Sequence, residues 1–246
     1  MLLSTPLLAV LSLTPSIVHA YTVPVIWHVF YEQNNTLPTN GNISETVFTD
    51  TLNVVNGFFG QIDLEFKTQA IRRRGVPYAT AHSIETVDRH KRGLREGGAD
   101  ALNVYTVGFD LLYSDGYTVT HPWDYRNDSR ADGIVIDYNY LPGGSHISFN
   151  TGKALVTTIG HWSGLFRTSE GGCDEPGDRV ADTPAQGLPA LGCPIGQDSC
   201  PGQPGLDPIH NLMDYTDDDC RTHFTPGQYS RMREQLYRFR GIRFDS

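Results

Sequence analysis

Apolar residues follow a strand-like or a helix-like pattern in seven segments before residue 165. Short runs rich in β-branched and aromatic residues are typical of strands, whereas apolar residues three and four positions apart indicate a helix. The strand-like segments are 23–31, 63–70, 101–109 and 133–140. The helix-like segments are 45–59, which follows Ser44 as a helix N-cap, 88–96 and 151–164. This order predicts a mixed twisted sheet with two long helices, an α+β fold.

The chain changes character after Gly164. Up to Pro226 it is rich in glycine, proline and aspartate and has no periodic segment, so that crosslinks or ions must hold it in place. Thr225-Pro226-Gly227-Gln228 then combines an N-cap, a proline at the first helical position and a capping-box glutamine. These features predict a last helix to about Phe239. We expect an N-terminal lobe over 21–164 and an irregular C-terminal lobe over 165–246.

The first twenty residues are uncharged and contain an apolar stretch that ends in Val18-His19-Ala20. This pattern is typical of a secretory signal peptide, 1–20; a buried N-terminal helix is the alternative. No later stretch approaches the ~20 apolar residues that span a bilayer, so we expect a secreted, extracellular protein without membrane contact. Three sequons, at Asn34, Asn42 and Asn127, are typical of a glycoprotein.

The charge balance is acidic, with 28 Asp and Glu against 19 Lys and Arg and a formal net charge of −9. Nucleic-acid binding needs clustered basic residues, so the balance argues against such a partner. The one basic run, residues 72–74, precedes Gly75 and is predicted to be a solvated turn.

All four cysteines lie in the irregular region. They are Cys173, Cys193, Cys200 and Cys220. An even number in an exported chain indicates two disulfides. A zinc–thiolate site is the alternative, but the paired C-x2-4-C spacing of such sites is absent.

Several motifs in the second half of the chain resemble one family. The segment from Gly160 (Gly-His-Trp-Ser-Gly-Leu) resembles the zinc-binding helix of metzincin proteases, H-E-x-x-H-x-x-G-x-x-H, in its pappalysin version. Downstream, Gly-Asp-x-Val-x-Asp-Thr-Pro from Gly177, Asn-Leu-Met-Asp-Tyr from Asn211 and Phe-Thr-Pro-Gly-Gln from Phe224 follow the family's order. The resemblance implies a metzincin-like fold with a long active-site helix and a disulfide-linked C-terminal subdomain.

The chemistry of this motif has decayed. Residues four apart share one helical face, so histidines there can bind one zinc, and a glutamate beside the first acts as general base. The first ligand, the base, the second ligand and the third ligand correspond here to Thr157, Thr158, His161 and Arg167. A threonine hydroxyl is a poor zinc ligand, and a guanidinium offers no lone pair.

The resemblance therefore implies a pseudoprotease that binds a peptide or protein ligand in a remnant cleft. We expect the Arg167 guanidinium to occupy or border the vacated metal position. Tyr215, which in the family stabilises the tetrahedral intermediate, and Met213 of the Met-turn are then packing residues. The alternative is an active zinc metalloprotease with substitute ligands, for which His121 and His146 flank the predicted cleft.

The resemblance also implies disulfides Cys173–Cys200 and Cys193–Cys220. A carboxylate-rich loop with Asp174, Asp178 and Asp182 could hold calcium, as similar enzymes do near this loop, or could be a solvated acidic loop.

Overall fold

A five-stranded sheet forms the centre of the N-terminal half. The computed structural model describes residues 20–37, 40–81, 83–108, 117–174 and 176–244, so the predicted signal peptide lies, apart from Ala20, outside the described residues. The strands are β1 (Tyr21–Glu32), β2 (Leu64–Val76), β3 (Leu102–Val107), β4 (Tyr117–Val119) and β5 (Ile134–Asp137). Their order is β2-β1-β3-β5-β4, and only β4, at the edge, is antiparallel to its neighbour.

The parallel strands carry long apolar runs because helices cover the sheet on both faces. On one face lie α1 (Glu45–Phe59) and α4 (Lys153–Trp162). Their apolar sides pack on the main core, where the Trp27 and Phe48 rings stack at 4.4 Å. The short helices α2 (Tyr78–Ala81) and α3 (Ile84–Leu94) follow β2, and Val87 of α3 packs against Phe30 and Tyr105 in a second cluster. The predicted metzincin-like mixed sheet is confirmed.

Three local predictions differ from the structure. Residues 72–74 continue β2 rather than forming a turn, because β1 pairs with them and Arg72 binds Glu96 at 2.8 Å. The helix predicted over 88–96 begins earlier, since the Ser83 hydroxyl caps it by accepting from the Thr86 amide. In contrast, Ser44 makes no side-chain cap to α1.

The other strand and helix ends are set by side chains. The strand predicted over 133–140 ends at Asp137, whose carboxylate accepts from the Asn139 amide and turns the chain into a 3-10 helix. The last helix, α5 (Pro226–Gln235), has the predicted capping box between Thr225 and Gln228. It continues as a π-helical turn over Leu236–Arg240.

The C-terminal region is irregular and crosslinked. Its disulfides are Cys173–Cys200 and Cys193–Cys220, the pairing that the resemblance implies. No helix among the described residues is long and apolar enough to cross a membrane.

A buried ion pair fastens the C-terminal segment to the sheet. Arg240 binds Asp132 through two nitrogens, at 3.0 and 3.2 Å, and both residues are almost completely buried. The same guanidinium donates to the carbonyl of Trp162 and lies 3.6 Å from its ring. Arg240, near the C-terminus, therefore fixes the position of Trp162 in the last turn of α4.

Candidate functional site

Helix α4 carries the motif residues Thr157, Thr158 and His161, and all three are buried. Its end is fixed by Gly164, whose φ of 101° is a left-handed conformation. A Cβ at Gly164 would lie 2.6 Å from the Gln235 side chain, so only glycine fits. The turn returns the chain towards Met213. The Met213 sulfur lies so close to Gly160 that a Cβ on residue 160 would be 2.7 Å from it. The helix, the glycine turn and the Met-turn are thus tightly packed.

Thr157, at the first-ligand position, belongs to a buried hydrogen-bond network. Its hydroxyl donates to the Leu212 carbonyl at 2.8 Å and accepts from the Arg221 guanidinium at 2.8 Å. Arg221 in turn forms a buried ion pair with Asp218, whose carboxylate also accepts from Thr151. A buried ion pair therefore lies beside the first-ligand position, with its guanidinium towards Thr157.

Thr158, at the general-base position, turns back onto its own helix. Its hydroxyl donates to the carbonyls of Ala154 and Leu155, at 3.0 and 2.9 Å, and is fully buried. A threonine hydroxyl does not take up a proton near neutral pH, so Thr158 cannot act as the general base.

His161 keeps the orientation of a metal-binding imidazole. Its Nδ1 lies 2.9 Å from the Leu165 carbonyl and must donate to it, because a carbonyl only accepts. A backbone carbonyl fixes many zinc-ligating histidines in the same way. Burial lowers the pKa of His161 to about 4, with a further contribution from His121.

His121 lies next to His161, although the spacing of the histidines in the sequence does not predict this contact. Its ring lies 5.6 Å from that of His161, edge to face, and stacks on Trp123 at 4.6 Å. The chain brings it there directly after the edge strand β4. Burial lowers the pKa of His121. His146 lies elsewhere, between the rings of Tyr140 and Phe149.

Arg167, at the third-ligand position, is held on the Met-turn. Its guanidinium donates to the Asp214 carbonyl at 2.9 Å and lies 3.8 Å from the centre of the Tyr215 ring. The side chain is half-buried rather than extended into solvent. The Arg167 guanidinium therefore covers one face of the Tyr215 ring.

The Met-turn itself is stiffened by amide and carboxylate groups. Asn211 and Gln228 exchange two side-chain hydrogen bonds, at 2.8 and 3.0 Å. The buried Asp214 carboxylate accepts from Gln186 and from two backbone amides. Burial raises the pKa of Asp214.

These residues do not fit a zinc ion. Of the three ligand positions only His161 offers a good zinc ligand. The Thr157 hydroxyl is a poor ligand that already accepts from Arg221, and the Arg167 guanidinium has no lone pair to donate. Among the described residues, one His/Cys/Asp/Glu trio has metal-binding spacing: Cys193, His210 and Cys220. Both of its sulfurs belong to a disulfide and are not thiolates.

The three aspartates proposed for calcium have separate surroundings. Asp178 is buried and accepts from Thr183 and the Val180 amide. Asp182 accepts from the Thr225 hydroxyl and the Gly227 amide, and so supports the start of α5. Asp174 is exposed. The described residues do not form a three-carboxylate cluster here, and calcium binding stays a prediction.

The three sequon asparagines are all exposed, so each is sterically accessible. Glycosylation itself stays a prediction.

Comparison with known proteins identifies the family of this chain. A family model described as "Pregnancy-associated plasma protein-A" (Peptidase_M43) matches residues 100–237. This chain belongs to the pappalysin (M43) family. An extracellular metalloprotease of Verticillium alfalfae is 40% identical over 219 residues, which cover 89% of this chain and 78% of the relative. One of Colletotrichum graminicola is 39% identical over 222 residues, covering 89% and 77%.

A solved protease structure has the same fold. Mature mirolysin of Tannerella forsythia, in complex with a cleaved peptide, superimposes with a TM-score of 0.73 at 26% identity. The match covers 89% of this chain and 92% of mirolysin. The fold of mirolysin is therefore present over most of this chain, whereas the metal-binding motif differs from the family pattern.

Proposed function

We propose that this protein is a secreted, non-catalytic pappalysin homologue that binds a peptide or protein segment in the cleft beside α4. The observation that carries the proposal is the contact between Thr157 and Arg221. A buried guanidinium bonded to the first-ligand position repels a metal dication, and no side chain at that position replaces the lost ligand.

The size of the chemical loss supports inactivity. A catalytic zinc lowers the pKa of its water from about 15.7 to about 7. At about 1.36 kcal/mol per pKa unit, this eases hydroxide formation by at most ~12 kcal/mol. Loss of the general base at position 158 removes a further factor of about 10² to 10⁴. Contacts in the remaining cleft are too weak to offset both.

Peptide binding is supported by the sheet edge. Among the described residues, strand β4 lies at the end of the sheet order and pairs with β5 alone, so its other side is a place where an extended segment can bind by strand addition. The mirolysin structure contains a cleaved peptide, which shows that a relative of this fold holds one.

The second candidate function is an active metalloprotease with substitute ligands. It is favoured by the facing rings of His121 and His161. Two imidazoles would need a third protein ligand for a catalytic zinc site. No described His, Cys, Asp or Glu completes a metal-binding trio with this pair.

Zinc content and casein cleavage separate the two candidates. We expect well below one zinc per chain in the purified protein and no casein cleavage that a chelator abolishes. The variant His161→Asn keeps a donor for the Leu165 carbonyl and removes Nε2, so it controls for adventitious zinc. Stoichiometric zinc and chelator-sensitive cleavage in the natural chain, both lost in H161N, would establish the second candidate instead.

A further inference from the structure

A cationic pocket lies beside the remnant cleft. Its cavity of about 660 Å³ is lined by Arg179, Arg231 and Arg238, with Trp123, Phe166 and Phe239 as its aromatic walls. This volume is within the range of small-ligand sites.

The charge of the pocket is opposite to that of the protein. Three guanidinium groups face one lining carboxylate, Glu234, in a chain whose formal net charge is −9. Arg179 and Arg231 both lie over the Phe166 ring, at 5.1 and 5.3 Å from its centre. Burial lowers the pKa of Arg231, and the nearby charge of Arg179 lowers it further. The cations therefore repel one another, and a bound anion would relieve that repulsion.

Two of the cations have unused hydrogen-bonding capacity. Arg179 and Arg238 are exposed, and no described residue accepts a hydrogen bond from either guanidinium or forms an ion pair with it. Arg231, in contrast, is fixed by donating its Nε proton to the Gly164 carbonyl at 2.9 Å. The pocket thus combines one anchored guanidinium with two that are available to a ligand, and guanidinium groups bind carboxylates through paired hydrogen bonds.

The aromatic walls connect the pocket to the decayed motif. The Trp123 and Phe166 rings stack at 5.3 Å, and Trp123 also stacks on His121, which faces His161. Phe166 directly precedes Arg167 at the third-ligand position. A peptide in the cleft could therefore reach the pocket with one or two side chains.

We propose that this pocket binds the acidic side chains of a peptide, so that the protein selects glutamate- or aspartate-rich segments. This inference rests on the proposed function only in taking a peptide as the ligand class. It does not depend on whether zinc is bound.

Fluorescence anisotropy tests the pocket directly. The probe is a rhodamine-labelled octapeptide of alternating glutamate and alanine, titrated in chelator-containing buffer, with the glutamine counterpart as its neutral control. We expect saturable binding of the glutamate peptide that weakens with added salt, and at least about tenfold weaker binding of the glutamine peptide.

Variants of the pocket arginines test whether the glutamate peptide binds in the pocket. Arg179→Gln and Arg238→Gln change only exposed side chains and should together weaken the glutamate peptide by about tenfold or more. The matched control Arg130→Gln removes an exposed charge elsewhere and should change Kd by less than about twofold. Equal binding of both peptides, no saturable binding up to about 1 mM, or an equal loss in R130Q would overturn the proposal. Because the assay excludes metal, its failure leaves the zinc measurement unaffected.

Discussion

Restoring the family's ligands should restore full zinc affinity only if Arg221 is also removed. The triple variant T157H/T158E/R167H supplies both missing histidines and the glutamate. A histidine at position 157 would project towards the guanidinium that now lies 2.8 Å from the Thr157 hydroxyl. The charge of Arg221 would then stand next to the metal.

The expected penalty follows from Coulomb's law. For a dication about 5 Å from the guanidinium, at an effective dielectric constant of ~20, the repulsion is about 7 kcal/mol. Asp218, the ion-pair partner of Arg221, would attract the same ion from about 8 Å with about 4 kcal/mol. The difference of about 3 kcal/mol weakens zinc binding by roughly a hundredfold.

Zinc affinity is the measurement, by competition with a chromophoric chelator. We compare the triple variant with the same variant carrying D218N/R221M, which neutralises both partners because a lone buried Asp218 would cost about 3–5 kcal/mol in folding free energy. The exposed pair Lys67–Glu65, replaced as E65Q/K67M, is the matched control. If the triple variant binds zinc equally tightly with and without Arg221, the electrostatic explanation is wrong.

Two further predictions concern stability. Asp132→Asn should lower the free energy of unfolding by about 3–5 kcal/mol in urea titrations, since it leaves the buried Arg240 charge without its counter-ion; E65Q, at the surface, should change it by less than about 1 kcal/mol. The pKa of His161 falls from 6.5 to about 4 on folding. As the pH drops below about 6.5, His161 is therefore protonated in the unfolded chain before it is protonated in the folded chain. Stability should fall as pH drops from about 6.5 to about 4, by at most about 3 kcal/mol from this group, and H161N should reduce that slope. An unchanged slope in H161N would show that His161 is not the group responsible.

The sequence predicts those parts of the fold whose signals are local. The β-branched and aromatic run of β1, the apolar spacing of α1 and the capping box at Thr225 each depend on neighbouring residues, and each element forms where it was expected. The run at residues 72–74 was assigned wrongly because its pairing partner, β1, lies some forty residues away. Three arginines next to a glycine look like a turn when that partner is not known.

The same distinction applies to the site. Thr157, His161 and Arg167 follow from motif spacing along one helix and its turn. Arg221 reaches Thr157 from 64 residues away, and His121 reaches His161 from the turn that follows strand β4. No periodicity encodes such contacts, so their roles became visible only in three dimensions. A late arginine directly after a cysteine was the one available signal, and it has no meaning by itself.

The two disulfides overlap along the chain, since Cys193 lies inside the loop closed by Cys173–Cys200. Any single backbone cut between Cys173 and Cys220 therefore leaves both fragments covalently joined. A trypsin-like enzyme that cleaves after the exposed Arg179 would nick the protein without releasing its C-terminal piece. On a non-reducing gel the nicked protein would still migrate as one species. In surroundings rich in proteases, this linkage would allow the Met-turn and α5 to stay in place after damage to the loop that precedes them.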